Sequence, residues 1–298
     1  MIEIKNVSKN YGKCKAVQDV SMVVRDGSIH GLIGENSAGK TTLIKTMVGI
    51  YKPDAGSVLY DGRPIFDNPE VLAEMGYVAD ANEYIPAYTV EGIARFYGRA
   101  FSGFQKKDFW EMNDIFQLNP KSAISSLSKG QKMRLAFMLN IARHPKYLIM
   151  DEPTSGIDPI GKKELLRILV SEVEKRGTAV LISSHHLGEL ESICDDVTMM
   201  KEGKTVVSQS LNEAKENYAK VQIVFPKGLP TGFTQWEEVL QYRNIGSIYT
   251  VILSSYDENI HRKIMDAGAE FMEVLDVSLE EMFLFANGQG VKTDETGK

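Results

Sequence analysis

The chain has 298 residues and a formal charge of −6, with both signs spread along its length. No basic stripe is present to track a nucleic-acid backbone, so DNA or RNA binding is disfavoured. The length suits one sizeable α/β core with a smaller unit appended, because single cores stop growing near about 250 residues. Two cysteines, Cys14 and Cys194, lack any metal or redox spacing and read as reduced structural thiols of a cytosolic protein.

Ile2 to Val7 alternates as a strand from the outset, leaving no export signal, and no apolar run approaches the roughly 20 residues of a membrane span. A role at a membrane would therefore need another chain to supply the membrane part. Ala16 to Val24 reads as a second strand, closed by Asp26-Gly27. Between the two lies Tyr11, which suits either an ordinary aromatic packing role or stacking on an adenine face.

Gly34 to Thr42, GENSAGKTT, sits between the apolar run Ile29 to Ile33 and the helix-like run Leu43 to Ile50. It fits the phosphate-loop pattern GxxxxG-Lys-Ser/Thr, which arises by accident in about one chain in a hundred of this length. Small residues at Gly34, Ser37, Ala38 and Gly39, with Glu35 and Asn36, let backbone N–H groups converge on phosphate oxygens, and the helix that follows adds its positive end. Lys40 would reach the β- and γ-phosphates, Thr41 would ligate Mg²⁺, and Thr42 completes the loop. Pro53 to Tyr60 with Asp61-Gly62 reads as a hairpin, which adds antiparallel β structure to the nucleotide core.

From Tyr77-Val78-Ala79-Asp80 through Ala123 the chain turns helical and aromatic. Most of these rings belong in a core, but so small a subdomain cannot bury them all. Tyr84, Ile85 and Tyr88 are the expected exposed members of an apolar docking patch. Leu127-Ser128-Lys129-Gly130-Gln131 opens a helix that runs to about His144, with Ser128 placed as N-cap. Tyr147 to Met150 is a short buried strand ending in Asp151-Glu152-Pro153. Paired carboxylates there are costly unless they serve as a metal-and-water site at a strand end. Asp158 follows in a loop before a helix from about Gly161 to Arg176, and the buried strand Ala179 to Ser183 delivers His185 to the same edge.

GENSAGKTT, LSKGQ, YLIMDEP, SGID and SSHH, in this order, resemble the nucleotide-binding subunit of an ATP-binding cassette (ABC) transporter over about residues 1 to 210. The fold implied is α/β: a P-loop NTPase core of the ABC type with antiparallel β and helical subdomains, the helical one spanning about 81–145. The resemblance implies that Tyr11 stacks on adenine, and that Gly34 to Thr42 hold the phosphates of ATP together with Mg²⁺. It also implies that Asp151 binds Mg²⁺ through water, that Glu152 polarises the attacking water and that His185 contacts the γ-phosphate. Ser128, Gly130 and Gln131 would complete the ATP site of a second subunit, and Asp158 would lie across that dimer interface. Such a subunit would dimerise, identically or not, and work at the cytoplasmic face of the membrane through a separately encoded permease. Two readings compete with it: a soluble ABC ATPase acting on ribosomes or DNA ends, and a module that binds ATP without hydrolysing it.

Three positions depart from the family pattern. Ser37 replaces a usual glycine and is tolerable only if its φ is negative. Lys129 replaces the first glycine of LSGGQ. Asp80 stands for a usual glutamine, so it either reaches Mg²⁺ through a water or caps the next turn and faces solvent.

After a hairpin at Val197 to Lys201 and Thr205 to Ser208, residues 211–288 read as a small α+β domain. Its strands are Tyr218 to Phe225, Ile248 to Ser254 and Phe271 to Asp276, its helix spans Asp257 to Ala267, and a capping box at Ser278 to Glu281 opens a last helix. No motif marks a pocket, so a packing or dimer-contact role is expected. Similar tails follow the ATPase domain in the branch that powers drug, peptide and polysaccharide exporters. The polar stretch 289–298 reads as a disordered tail.

Overall fold

The computed structural model describes residues 1–82, 84, 87–216 and 218–286, without the side chains of 214–216 and 283–286. The expected tail and Ile85 lie outside the described residues. The chain divides into two compact units, Met1–Ser208 and a second that begins at Gln209.

In chain order the first unit comprises β1 (Ile2–Tyr11), β2 (Cys14–Val24), β3 (Ile29–Gly34), α1 (Lys40–Met47), β4 (Ala55–Tyr60), β5 (Arg63–Pro64), α2 (Pro69–Glu74) and β6 (Met75–Val78). It continues with α3 (Val90–Ala100), α4 (Lys106–Phe116), α5 (Lys129–Ile141), β7 (Tyr147–Asp151), α6 (Pro159–Arg176), β8 (Ala179–Ser184), α7 (Leu187–Glu191), β9 (Asp196–Lys201) and β10 (Lys204–Ser210).

Its central sheet has six strands in the order β10-β9-β3-β8-β7-β6, and the pairs β9/β3, β3/β8, β8/β7 and β7/β6 are parallel. Parallel strands are covered on both faces and so read as unbroken apolar runs. Every residue of β3, β7 and β8 is accordingly buried. Register then aligns the strand ends: Ile33 lies opposite Ser184, Asp151 opposite Ser183 and Val78 opposite Met150. Everything that follows β3, β6, β7 and β8 therefore emerges on one edge. A second sheet, β2-β1-β4-β5, is antiparallel and packs its alternating face, with Ile2, Ile4, Val20, Val58 and Tyr60 inward, into the same core as Leu43, Met47, Tyr147 and Leu181.

The outermost parallel strand, β6, is held by a side chain as well as by a neighbour. Asn140 of α5, buried, accepts from the Tyr77 N–H (3.1 Å) and donates to the Tyr77 carbonyl (3.1 Å), so its amide stands in for a further strand. The aromatic region is sorted by α3, whose inward stripe is Val90, Ile93 and Ala94. Tyr84 and Tyr88 are only half-exposed, while Phe96, off that stripe, is the exposed ring (46%), set 5.9 Å from Tyr88. The expectation placed the patch on the entry loop. The helix face carries its most open member instead.

The second unit contains α8 (Leu211–Glu216), β11 (Ala219–Val224), β12 (Val239–Ile245), β13 (Ile248–Leu253), α9 (Glu258–Asp266), β14 (Phe271–Leu275) and α10 (Leu279–Ala286). Its sheet, β12-β13-β11-β14, is antiparallel, and one face packs Val221, Ile223, Val251 and Leu253 against Ile260 and Ile264 of α9. Ser278 and Glu281 exchange the reciprocal bonds of a capping box at the start of α10.

Candidate functional site

The loop after β3 is wedged between backbones. A Cβ on Gly34 would stand 2.6 Å from the Met200 carbonyl, and one on Gly39, at φ 103°, would stand 2.3 Å from the Ala16 carbonyl. Only glycine fits either place. Ser37 corrects the sequence reading: its φ is +71°, in the left-handed region, so the loop keeps the conformation that suits glycine while carrying a side chain. The hydroxymethyl group is exposed, which removes any steric obstacle beyond the backbone strain itself.

Glu35 to Thr42 line a cavity of about 510 Å³ together with Cys14, Lys15, Ala16 and Gln18, Asp80, Glu152 and the turn Glu202-Gly203. Lys40 is buried, and its Nζ donates to the Gly34 carbonyl (2.6 Å) and the Glu35 carbonyl (3.3 Å) and stands 3.9 Å from Glu152 Oε1. Burial lowers its pKa, while Glu152 and Asp151 pull it back up. A desolvated cation steadied by carbonyls has strong reason to take an anionic ligand.

Behind the cavity, Asp151 is buried and its Oδ1 accepts from Ser183 Oγ at 2.7 Å, while the Glu152 N–H donates to that same Oγ at 3.0 Å. Sequence reading missed Ser183 as a functional residue. The signal available was a hydroxyl at the end of an otherwise apolar strand, beside the strand that carries two carboxylates. Glu152 itself sits at φ +50°, a sparsely populated conformation for a residue with a side chain. Its Oε2 lies 2.7 Å from His185 Nδ1, which donates to it, and 3.4 Å from the His185 N–H. The adjacent ends of β7 and β8 thus join Lys40, Glu152 and His185 in one chain of contacts.

Other expected residues lie elsewhere. Tyr11 is exposed, its ring edge-on to Tyr51 at 5.8 Å and its hydroxyl close to the Thr42 side chain, outside the cavity wall. Ser128 and Gln131 form a capping box at the start of α5, through Gln131 N–H to Ser128 Oγ (3.2 Å) and Ser128 N–H to Gln131 Oε1 (3.0 Å). Gly130 packs so close to Gly156 that a Cβ would lie 2.2 Å from the Gly156 carbonyl. Asp158 caps α6 by accepting from the Gly161 N–H (2.9 Å) and pairs with Arg134; the first of these bonds leads in lowering its pKa. These four residues form a second cluster, outside the cavity. Cys194 is buried as a structural thiol should be, but Cys14 is exposed on the cavity wall, because the start of β2 borders the phosphate loop.

The donors near the phosphate loop suit Mg²⁺: the buried Asp151 carboxylate and the Thr41 hydroxyl are hard oxygens. They are too few to cage a metal unaided and match an ion that keeps waters and shares phosphates.

Residues 17–155 match the sequence profile of the ABC transporter family. The ABC transporter ATP-binding protein YtrB of Bacillus subtilis is 29% identical over 284 residues, covering 95% of this chain and 97% of the relative. The bacitracin transport ATP-binding protein BcrA of Bacillus licheniformis is 31% identical over 223 residues, covering 74% of this chain and 73% of the relative. Among solved structures, the ATP-binding subunit of an ABC transporter superposes with a TM-score of 0.67 at 27% identity, over 72% of this chain and 92% of that one. With a buried lysine in a phosphate loop, paired carboxylates and a histidine on one sheet edge, the chain belongs to the ABC transporter family, as an ATP-hydrolysing subunit of a transporter whose permease is a separate chain.

Proposed function

We propose that the cavity at the sheet edge is the ATP site, with Gly34 to Thr42 wrapping the phosphates and Lys40 neutralising the β- and γ-oxygens. The observation that carries this reading is the run of contacts from Lys40 through Glu152 to His185 beside the phosphate loop. Glu152 orients and polarises the attacking water. His185 holds the Glu152 carboxylate and meets the γ-phosphate, and Ser183 fixes both acidic residues from behind. Thr41 and Asp151 would hold Mg²⁺, with Asp80 behind a water. The ion, when bound, draws charge off the phosphate oxygens. Such a site needs positioning and charge neutralisation more than covalent chemistry. Tyr11 is assigned to the adenine face, for which its place beside Thr42 is the support.

Ser128, Gly130, Gln131 and Asp158 stand apart from this cavity, at the N-termini of α5 and α6, and we assign them to the ATP site of a second ATPase subunit. A capped helix N-terminus presents N–H groups to an anion. The assembly works at the cytoplasmic face of the membrane, bound to the permease, and we take its direction as export. BcrA is named for bacitracin transport, and the ATPase unit here is followed by a second, α+β unit of the kind expected for exporters. In the complex with the permease, Ser128→Arg abolishes ATPase activity while each subunit still binds ATP. An unchanged rate in that variant contradicts the shared site.

A further inference from the structure

Two of the departures from the family pattern are bonded to each other. Lys129, the first residue of α5, places its Nζ 2.7 Å from Asp80 Oδ1 and 3.2 Å from Ser155 Oγ. One cation thus ties together the segment after β6, the N-terminus of α5 and the loop that follows Glu152. Asp80 also lines the cavity that holds Lys40, Thr41 and Glu152, so any charge left free on it acts on the nucleotide site. A lysine at a helix N-terminus opposes the positive end of the helix and gains from an anion beside it. The two side chains are about half-exposed, which makes the pair weak and open to exchange.

We propose that Lys129 is a gate on Asp80. With the ion pair closed, the carboxylate is neutralised and withheld from the metal that Thr41 and Asp151 would hold. When the triphosphate of a second subunit reaches the N-terminus of α5, Lys129 exchanges Asp80 for the phosphate and the carboxylate turns to its own site. The metal affinity of one site thereby depends on the occupancy of the other. Asp80 and Lys129 are positioning residues in this scheme, and the scheme rests on the two-subunit reading above.

The test measures the Mg²⁺ concentration that half-saturates binding of a fluorescent ATP analogue to the isolated protein at low salt. Lys129→Ala lowers it by about two- to fivefold, the scale of an exposed ion pair. Lys129→Arg keeps the wild-type value, and adding Asp80→Asn to Lys129→Ala removes the gain. In the ATP-bound assembly with the permease, where Lys129 is engaged by phosphate, the wild-type and Lys129→Ala curves converge. A Lys129→Ala curve at the wild-type position, or a shift that survives Asp80→Asn, reduces the contact to an ordinary surface ion pair. A gap that persists in the assembly overturns the exchange. Asp151→Asn separates the two levels of the argument. If it moves the Mg²⁺ curve while the Lys129 variants do not, only the gate falls. If Mg²⁺ has no effect on binding even in the wild-type protein, the metal site falls with it.

Discussion

Ser37 and Glu152 both hold φ angles that favour glycine, at +71° and +50°, and both sit at the nucleotide cavity. Their strain differs in origin. Glu152 is pinned by its N–H, which donates to both the Ser183 carbonyl (3.2 Å) and the Ser183 Oγ (3.0 Å), and by His185 on its carboxylate, so its conformation serves to aim a side chain. Ser37 makes no such use of its exposed hydroxymethyl group. Ser37→Gly should therefore raise unfolding stability by about 0.5–1 kcal/mol, and Ser37→Val should lower it by about 1 kcal/mol or more, both read from urea midpoints. A loss of stability in Ser37→Gly would contradict the left-handed conformation. The residues of the phosphate loop, Asp151, Glu152 and His185 were legible in the sequence because small residues, a lysine and strand-end carboxylates have few other uses in that order. The Asp80–Lys129 pair was not. Forty-nine positions separate its members, and each was read against its own motif rather than against the other.

At the scale of elements, β6 leads into the segment that carries Asp80 and leans on one amide of α5. Removing that amide leaves the Tyr77 N–H and carbonyl without partners at a half-buried edge. Asn140→Leu should cost about 1–3 kcal/mol in denaturant unfolding, and an unchanged midpoint would show that β6 does not depend on it. Strands with uninterrupted apolar runs, such as Tyr147–Asp151 and Ala179–Ser184, were readable to within a residue, because burial on both faces dictates composition. β12 was not. It is an edge strand with a register shift between Val239 and Gln241, so its buried positions, Val239 and Tyr242, fall out of the two-residue period. The bond from Asn140 to Tyr77 was likewise invisible, since an asparagine inside a helix carries no local sign that it serves a distant strand.

In the first unit as a whole, the nucleotide-binding core is predicted to be acid-sensitive through a group far from the chemistry. His30, near the start of β3, is buried with its Nε2 2.8 Å from Thr198 Oγ1, and burial lowers its pKa from 6.5 to about 4. A depressed histidine is neutral in the fold and charged in the unfolded chain between those values. The unfolded state therefore binds more protons there, and stability falls as pH drops from 6.5 toward 4. Between pH 7 and pH 5 this contributes a loss of about 2 kcal/mol, which His30→Gln should largely abolish in urea unfolding at the two pH values. A His30→Gln protein as acid-sensitive as the wild type would assign the effect elsewhere.

The parallel sheet brings residues from four strand ends to one edge, and the account gives the hydrolytic role to one of them, Glu152. The most direct measurement compares single-turnover ATP hydrolysis and ATP affinity in wild-type and Glu152→Gln protein, within the complex with the permease. Glu152→Gln should slow hydrolysis by about 10²- to 10⁴-fold, the usual worth of a general base, with ATP affinity unchanged. Hydrolysis at the wild-type rate in Glu152→Gln would contradict the account.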